Sequence, residues 1–283
     1  MNRLSAASRA TLIYVAMLVG FGIAALCVFG CDSPTQQKKQ LHDEGRTLYQ
    51  AGKYNAARSE LKKALQLDPL HAEAYFTLGL TEARLGNFND ALSYLARAAE
   101  LEPRKVRYQL ELGRLLTAAE QFNLAMQPVE AVLGLEPQNT EALLLKSNIL
   151  LAENNLTDAR KILETLKADG TTDPTLYVLL AAVFENQDEP EQTEAVLKEG
   201  IEANPDSIDL RLLLARFYRK AERTEEAIQV LQEVVGRRPD DAAHHLSLAH
   251  LYWDTGREAE ARGQLDAMLA ADPDSEALLV QLA

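Results

Sequence analysis

The chain has 283 residues, 47% hydrophobic and 25% charged, a composition that belongs to folded rather than disordered protein. A formal net charge of −13 and an aromatic content of 6% argue against nucleic acid as a partner, which would need a basic patch and stacking platforms. Cys27 and Cys31 are the two cysteines, so from Asp32 onward there is neither a disulfide framework nor a thiolate metal site.

Residues 1–30 are the first element. Met1–Arg9 carries Arg3 and Arg9 and no acid, and Leu12–Phe29 is an unbroken apolar run. A basic start followed by an apolar stretch is the layout of an export signal. The segment Val28-Phe29-Gly30-Cys31 resembles the lipobox of bacterial lipoproteins, with a small residue before the cysteine and an aliphatic one three places before it; Phe29 is the unusual member. That resemblance implies lipidation at Cys31, which then becomes the mature N-terminus. Asp32 behind it resembles the signal for staying at the inner membrane in enteric-type bacteria. The run is also near the roughly 20 residues that span a bilayer, and as an uncleaved anchor it would keep Arg3 and Arg9 in the cytoplasm. Both readings expect residues 32–283 on the exported, periplasmic side of the inner membrane, held there by a lipid or by a helix. Residues 31–37, continuing in polar sequence to Gln40, are expected to be a flexible tether.

From Lys38 the chain repeats. Pro69, Pro103 and Pro137 stand 34 residues apart, Pro205 follows two such steps later, and Pro239 and Pro273 follow at one step each. A fixed period of this length means one supersecondary unit stacked many times, so a solenoid and not a count of cores describes the domain organisation. With each proline at position 32, the repeats start at Lys38, Ala72, Val106, Thr140, Pro174, Ile208 and Ala242. Each holds two stretches of helical period, A and B, around a turn, which contains Gly52, Gly86 or Gly256 in three of them. The prolines end helix B, and Asn139, Asp173, Ser207, Asp241 and Ser275 stand where the next helix A needs an N-cap.

Small residues recur at position 8 (Gly45, Gly79, Gly113, Ser147, Ala181, Ala215, Ala249) and position 20 (Ala57, Ala91, Ala125, Ala159, Thr193, Ala227, Ala261). Position 24 is apolar throughout, and position 11 carries Tyr218 and Tyr252, with Glu82 as its one departure. This pattern resembles the tetratricopeptide repeat over residues 38–283. The resemblance implies an all-α fold of helix-turn-helix units wound into a right-handed superhelix, with seven repeats over 38–275.

Three places break the pattern. Thr171 replaces the expected proline, with Gly170 available to end the helix in a left-handed cap and Pro174 after Asp173 to start the next. Pro128 falls inside helix B of the third repeat and predicts a kink or a late helix start. Residues 276–283 begin an eighth repeat whose apolar sequence ends halfway through a helix A, as a docked half-repeat or as part of a longer array.

In the resembling family, partners lie in a groove lined by helix A. At position 5 this chain carries His42 and then the apolar Phe76, Leu110, Leu144, Val178, Leu212 and Leu246, read either as an apolar binding ladder or as packing between neighbouring A helices. Arg46, Arg114, Asn148, Arg216, Arg219, Lys220 and His250 lie beside them, either to clamp an acidic peptide or as an ordinary solvated face. Trp253 is the sole tryptophan and a candidate anchor. The family's carboxylate-clamp pattern of lysine and asparagine is not reproduced, so a chaperone tail is not the expected cargo. His244, His245 and His250 lack ligand spacing, and no phosphate loop or nucleophile motif occurs, so no metal, cofactor or catalytic residue is expected. The expected protein is a non-catalytic, membrane-tethered scaffold of a bacterial envelope system of pilus, exopolysaccharide or exosortase type. Its alternatives are an adaptor part of a larger protein and, third, an accessory module of an enzyme.

Overall fold

The structure, a computed structural model, describes residues 34–271; the expected signal, Cys31 and residues 276–283 lie outside the described residues. Among the described residues there are fourteen helices and no strand, an all-α array of repeated helix pairs of the solenoid class. The A helices are α1 (Pro34–Gln50), α3 (Ala72–Arg84), α5 (Val106–Ala118), α7 (Thr140–Ala152), α9 (Pro174–Asn186), α11 (Ile208–Lys220) and α13 (Ala242–Asp254). The B helices are α2 (Tyr54–Leu67), α4 (Phe88–Leu101), α6 (Phe122–Leu135), α8 (Leu156–Ala168), α10 (Pro190–Ala203), α12 (Thr224–Arg237) and α14 (Glu258–Ala271). The chain divides into two compact bodies, residues 1–108 and 109–283.

Helix α1 begins at Pro34, so residues 34–37, and the polar run on to Gln40, are helical rather than a free tether. Proline at a first helical position is pre-organised, and the Gln and Lys residues behind it are good helix formers.

One backbone device closes every A-to-B turn. The N–H at position 16 donates to the carbonyl at position 11 and the N–H at position 15 to that at position 12, as in Arg223 to Tyr218 (2.9 Å) and Glu222 to Arg219 (3.2 Å). This crossed pair of bonds requires a left-handed residue at position 15. Gly52, Gly86 and Gly256 supply it without strain, but Glu120, Asn154, Asp188 and Glu222 adopt it too, with φ between 56° and 61°. At the joint without proline, α8 copies the same device. Gly170 is left-handed (φ 85°), its N–H donates to Lys167 O, and the N–H of Thr171 donates to Leu166 O, both at 3.0 Å. Four of the anticipated N-caps form: Asn139, Asp173, Ser207 and Asp241 accept from backbone N–H groups of the helices they open, and Ser275 lies outside the described residues.

Helix α6 starts at Phe122, six residues ahead of Pro128, so the late start expected there does not occur. Pro128 is buried, and its ring lies beside Val129 where Gly113 of α5 approaches. The small residues at position 8 are set by such approaches. A Cβ on Gly79 would stand 2.7 Å from Leu95 Cγ, and one on Gly45 2.7 Å from Leu61 Cγ. In the body of residues 109–283, Ala159, Leu163, Leu176, Leu180, Leu197, Leu210 and Ala227 form one continuous core through α8–α12. In the other body Ala57, Leu61 and Leu78 pack together. Burying each such leucine is worth about 1.5–3 kcal/mol, and no single pair could supply this face by itself.

Candidate partner-binding face

The side chains expected to line a groove fall into three groups. Phe76, Leu110 and Leu144 are buried, and Val178, Leu212 and Leu246 are half-buried, so position 5 is not an open apolar ladder. For Phe76, Leu144, Val178 and Leu212 the reason is direct packing between A helices: α9 contacts both α7 and α11, and α1 contacts α3. Phe76 is further stacked on Tyr108 at 4.7 Å, with the Arg107 guanidinium 4.4 Å above its ring. Its neighbour Glu73 accepts from Tyr108 Oη at 2.6 Å and pairs with Arg107. Burial raises the Glu73 pKa, but those two partners outweigh it and hold the carboxyl below its ordinary value.

A second group is internally paired. Arg114 bonds Glu111 at 3.0 Å and also pairs with Glu141, and Arg46 bonds Asp43 at 3.3 Å. Asn148 is half-buried on α7.

The third group converges in space. Leu212, Arg216 and Arg219 of α11 and His250 of α13 open on one cavity of about 180 Å³, whose wall also includes Ser247 and Asp254. Its floor is the buried Ala215, Leu231 and Leu251. His250 and Trp253 then line an adjoining cavity of about 240 Å³ with Ala249 and Leu265. Trp253 is 53% exposed. Arg216 reaches Glu185 only at 3.7 Å, and among the described residues Arg219 and Lys220 make no ion pair. Here an apolar strip, an exposed indole and one uncommitted guanidinium, that of Arg219, share one surface, a combination that suits an acidic segment carrying an apolar side chain.

The histidines near this face are not alike. His245 is buried; its Nδ1 lies 2.9 Å from Gln264 Oε1 and its Nε2 2.9 Å from the Pro239 carbonyl, so it ties α13 to α14 and to the preceding loop. His244 stands 3.4 Å from Asp241, and His250 is exposed.

Sequence reasoning missed the joints between repeats. At three joints position 21 of a B helix meets position 16 or 11 of the next repeat. Arg160 donates to Glu189 at 2.9 Å and covers the Phe184 ring at 4.8 Å. One repeat later the charges are exchanged: Glu194 pairs with Arg223 and accepts from Tyr218 Oη at 2.9 Å, while Arg223 covers the Tyr218 ring at 4.5 Å. In the first joint Arg58 and Lys62 approach Glu82 at 3.5 and 3.7 Å, and Asn87 donates to it at 2.7 Å. Glu82 is therefore an acid at position 11 because its joint places two cations above a fully buried site.

Family models described as tetratricopeptide repeat match residues 116–183, 186–247 and 219–282, and a second such model matches 42–103 and 76–133. The chain belongs to the tetratricopeptide repeat family. Its helix pairs form the type of scaffold that mediates protein–protein interaction. No curated protein matches it significantly. Among solved structures it is similar to a tetratricopeptide repeat protein of Parabacteroides merdae (16% identity, TM-score 0.68), covering 87% of this chain and 98% of that one. It is also similar to the APC/C hetero-tetramer Cut9–Hcn1 (17% identity, TM-score 0.59), covering 92% of this chain and 50% of that one. A third is PilW, described as a widely conserved type IV pilus biogenesis factor (16% identity, TM-score 0.55), covering 88% and 99%. At these identities the likeness is one of fold. None of the helices among the described residues is long and apolar enough to cross a membrane.

Proposed function

We propose that this tetratricopeptide protein is a non-catalytic scaffold, tethered to the inner membrane of a bacterium by its N-terminal segment, that holds a protein component of an envelope assembly system. The observation that carries the reading is the α11–α13 face, where Arg219 is uncommitted beside a cavity floored by apolar side chains. A partner for this face presents an acidic segment with one apolar anchor. The tether rests on the basic start, the apolar run Leu12–Phe29 and the lipobox-like Cys31. The fold shared with a pilus biogenesis factor favours pilus assembly among envelope systems.

The test is photo-crosslinking in cells from a probe at His250, with and without Arg219→Glu. A partner captured by the first protein and lost with the second supports the reading; capture unchanged by the charge reversal removes this face from it. Mass measurement of the N-terminal peptide tests the tether separately, since an unmodified Cys31 with Met1 retained ends the lipoprotein form of it.

A further inference from the structure

Two of the most exposed leucines lie together in the first body. Leu67 is 46% exposed in the last turn of α2, and Leu70 is 67% exposed in the loop leading to α3. The topology fixes which end of the repeats they occupy. Helices α1 and α2 are antiparallel across a short turn, with Gly45 against Leu61, so the chain that reaches Leu67 has returned to the level of Lys39 near the start of α1. In the same way α3 and α4 pair with Gly79 against Leu95, which carries the loop after α4, with Arg104 and Lys105, back to the level of Leu70. Lys39, Arg104 and Lys105 are exposed, and among the described residues the last two make no ion pair. Asp68 and Glu102 are the acids of these loops, and the Asp68 carboxylate accepts from the Leu70 N–H at 3.1 Å. This end is thus an apolar pair inside a slightly basic rim, on a chain whose net charge is −13.

We propose that this end of the first two repeats rests on the bilayer surface, with Leu67 and Leu70 entering the head-group region and Lys39, Arg104 and Lys105 facing anionic lipid. It rests on the tethered reading above, because the segment that precedes Pro34, with its apolar run Leu12–Phe29, joins the array at this end. A tether so short brings the nearest loops to the membrane. Aliphatic side chains at an interface bury a few ångströms into the head-group and acyl boundary, and Lys and Arg extend their charged ends toward phosphate. The opposite end of the same helices offers a matched contrast. Phe88, at the start of α4, is 58% exposed but lies beside the A-to-B turn, away from the start of α1.

The test uses the full chain in vesicles of anionic and zwitterionic phospholipid, in a Trp253→Phe background. Leu70→Trp and Phe88→Trp place one reporter at each end. Vesicles made with acyl-brominated lipid should take away most of the emission at position 70 and leave that at position 88 intact, and the loss at 70 should shrink when Arg104 and Lys105 are both changed to Glu. Protein that floats with the vesicles but shows equal emission at both positions overturns the proposal while leaving the tether in place. Quenching at both positions overturns it as well. Emission at position 70 that is shielded from aqueous iodide yet untouched by brominated lipid assigns the leucines to a protein contact instead. Protein that does not float at all overturns the tether and this proposal with it.

Discussion

Glu194 of α10 and Arg223, which precedes α12, are 29 residues apart in sequence and form one ion pair, with the Tyr218 ring lying under the guanidinium and its hydroxyl donating to the same carboxylate. A charge, an aromatic face and a hydrogen bond are closed in a single joint between repeats. The hydrogen bond from Arg223, with those from Lys198 and Tyr218, pulls the Glu194 carboxyl down to about 2. Its folded value lies below its unfolded one, so the joint stabilises fully above about pH 4.5 and is lost as pH falls from there toward 2. Replacing Glu194 by Gln keeps an acceptor for Tyr218 and removes the charge. The expected cost is on the order of 1 kcal/mol near neutrality, after allowing for solvent screening, and it should vanish in strong acid. Urea melts of both proteins across that range measure it.

His42 predicts a second pH dependence, at a different window. Its ring lies 4.7 Å from that of His71, between α1 and the start of α3, and neither His42 Nε2 nor His71 Nδ1 has a hydrogen-bond partner among the described residues. Burial first, and then the neighbouring His71, lowers the His42 pKa, against the opposing pull of Glu73 and Asp43; Arg46 lowers it further. The unfolded chain then binds more protons than the folded one below about pH 6.5, so stability is complete above that value and falls as the solution is acidified through the window beneath it. Changing His42 to Gln should flatten this slope. Chemical denaturation at about pH 7.5 and about pH 5.5 reads the difference, and an equal slope in both proteins refutes the assignment.

The left-handed turn position separates backbone cost from packing. At Gly86 (φ 79°) an added Cβ meets no atom within 4 Å, so Gly86→Ala acts through conformation alone and should destabilise by about 1 kcal/mol. Glu222 holds the same conformation with a side chain (φ 58°), so Glu222→Gly should be neutral or stabilising by up to about 1 kcal/mol. Thermal unfolding should move down for Gly86→Ala and stay level or move up for Glu222→Gly.

Gly79 predicts a cost of the other kind. A Cβ there would sit 2.7 Å from Leu95 Cγ and 3.1 Å from the Leu95 backbone nitrogen, so α3 and α4 must move apart. Gly79→Ala should destabilise by about 1–3 kcal/mol even though alanine is the better helix former. Pairing it with Leu95→Ala should recover part of the loss, a coupling that a double-mutant cycle detects.

The period of 34 carried most of the fold, because prolines, small residues and caps report backbone needs that recur in every repeat. Asn139 and Ser207 could be assigned as caps from their places alone, since a cap acts within three residues of itself. What stayed hidden acts over longer distance or through the main chain. Glu82 stood out as a departure, but its reasons, Arg58 and Lys62, lie in the preceding B helix. Glu120 and Asp188 gave no sign of left-handed backbone, since glycine was the cue and the crossed turn bonds impose the conformation on whatever residue stands there. Phe76 and Leu144 left two readings open in the sequence, an apolar ladder or packing between A helices, because spacing alone does not say how closely neighbouring A helices approach; direct packing between A helices is what covers them. The convergence of Leu212, Arg219 and His250 was within reach from the sequence; that Arg114 is bound to Glu111 and Glu141 was not.

The exchanged charges at successive joints bear on how the array is inherited. Near-identical repeats invite slippage and unequal crossing-over, which delete or duplicate whole units in frame. Removing residues 174–207, one such unit, would keep the helical period and every cap, yet it would bring Arg160 against Arg223 over Tyr218, a cation facing a cation where each now has a carboxylate. The opposite signs at these two boundaries make them distinct complements, so a copy of the gene shortened between them encodes a protein marked by a repulsive seam.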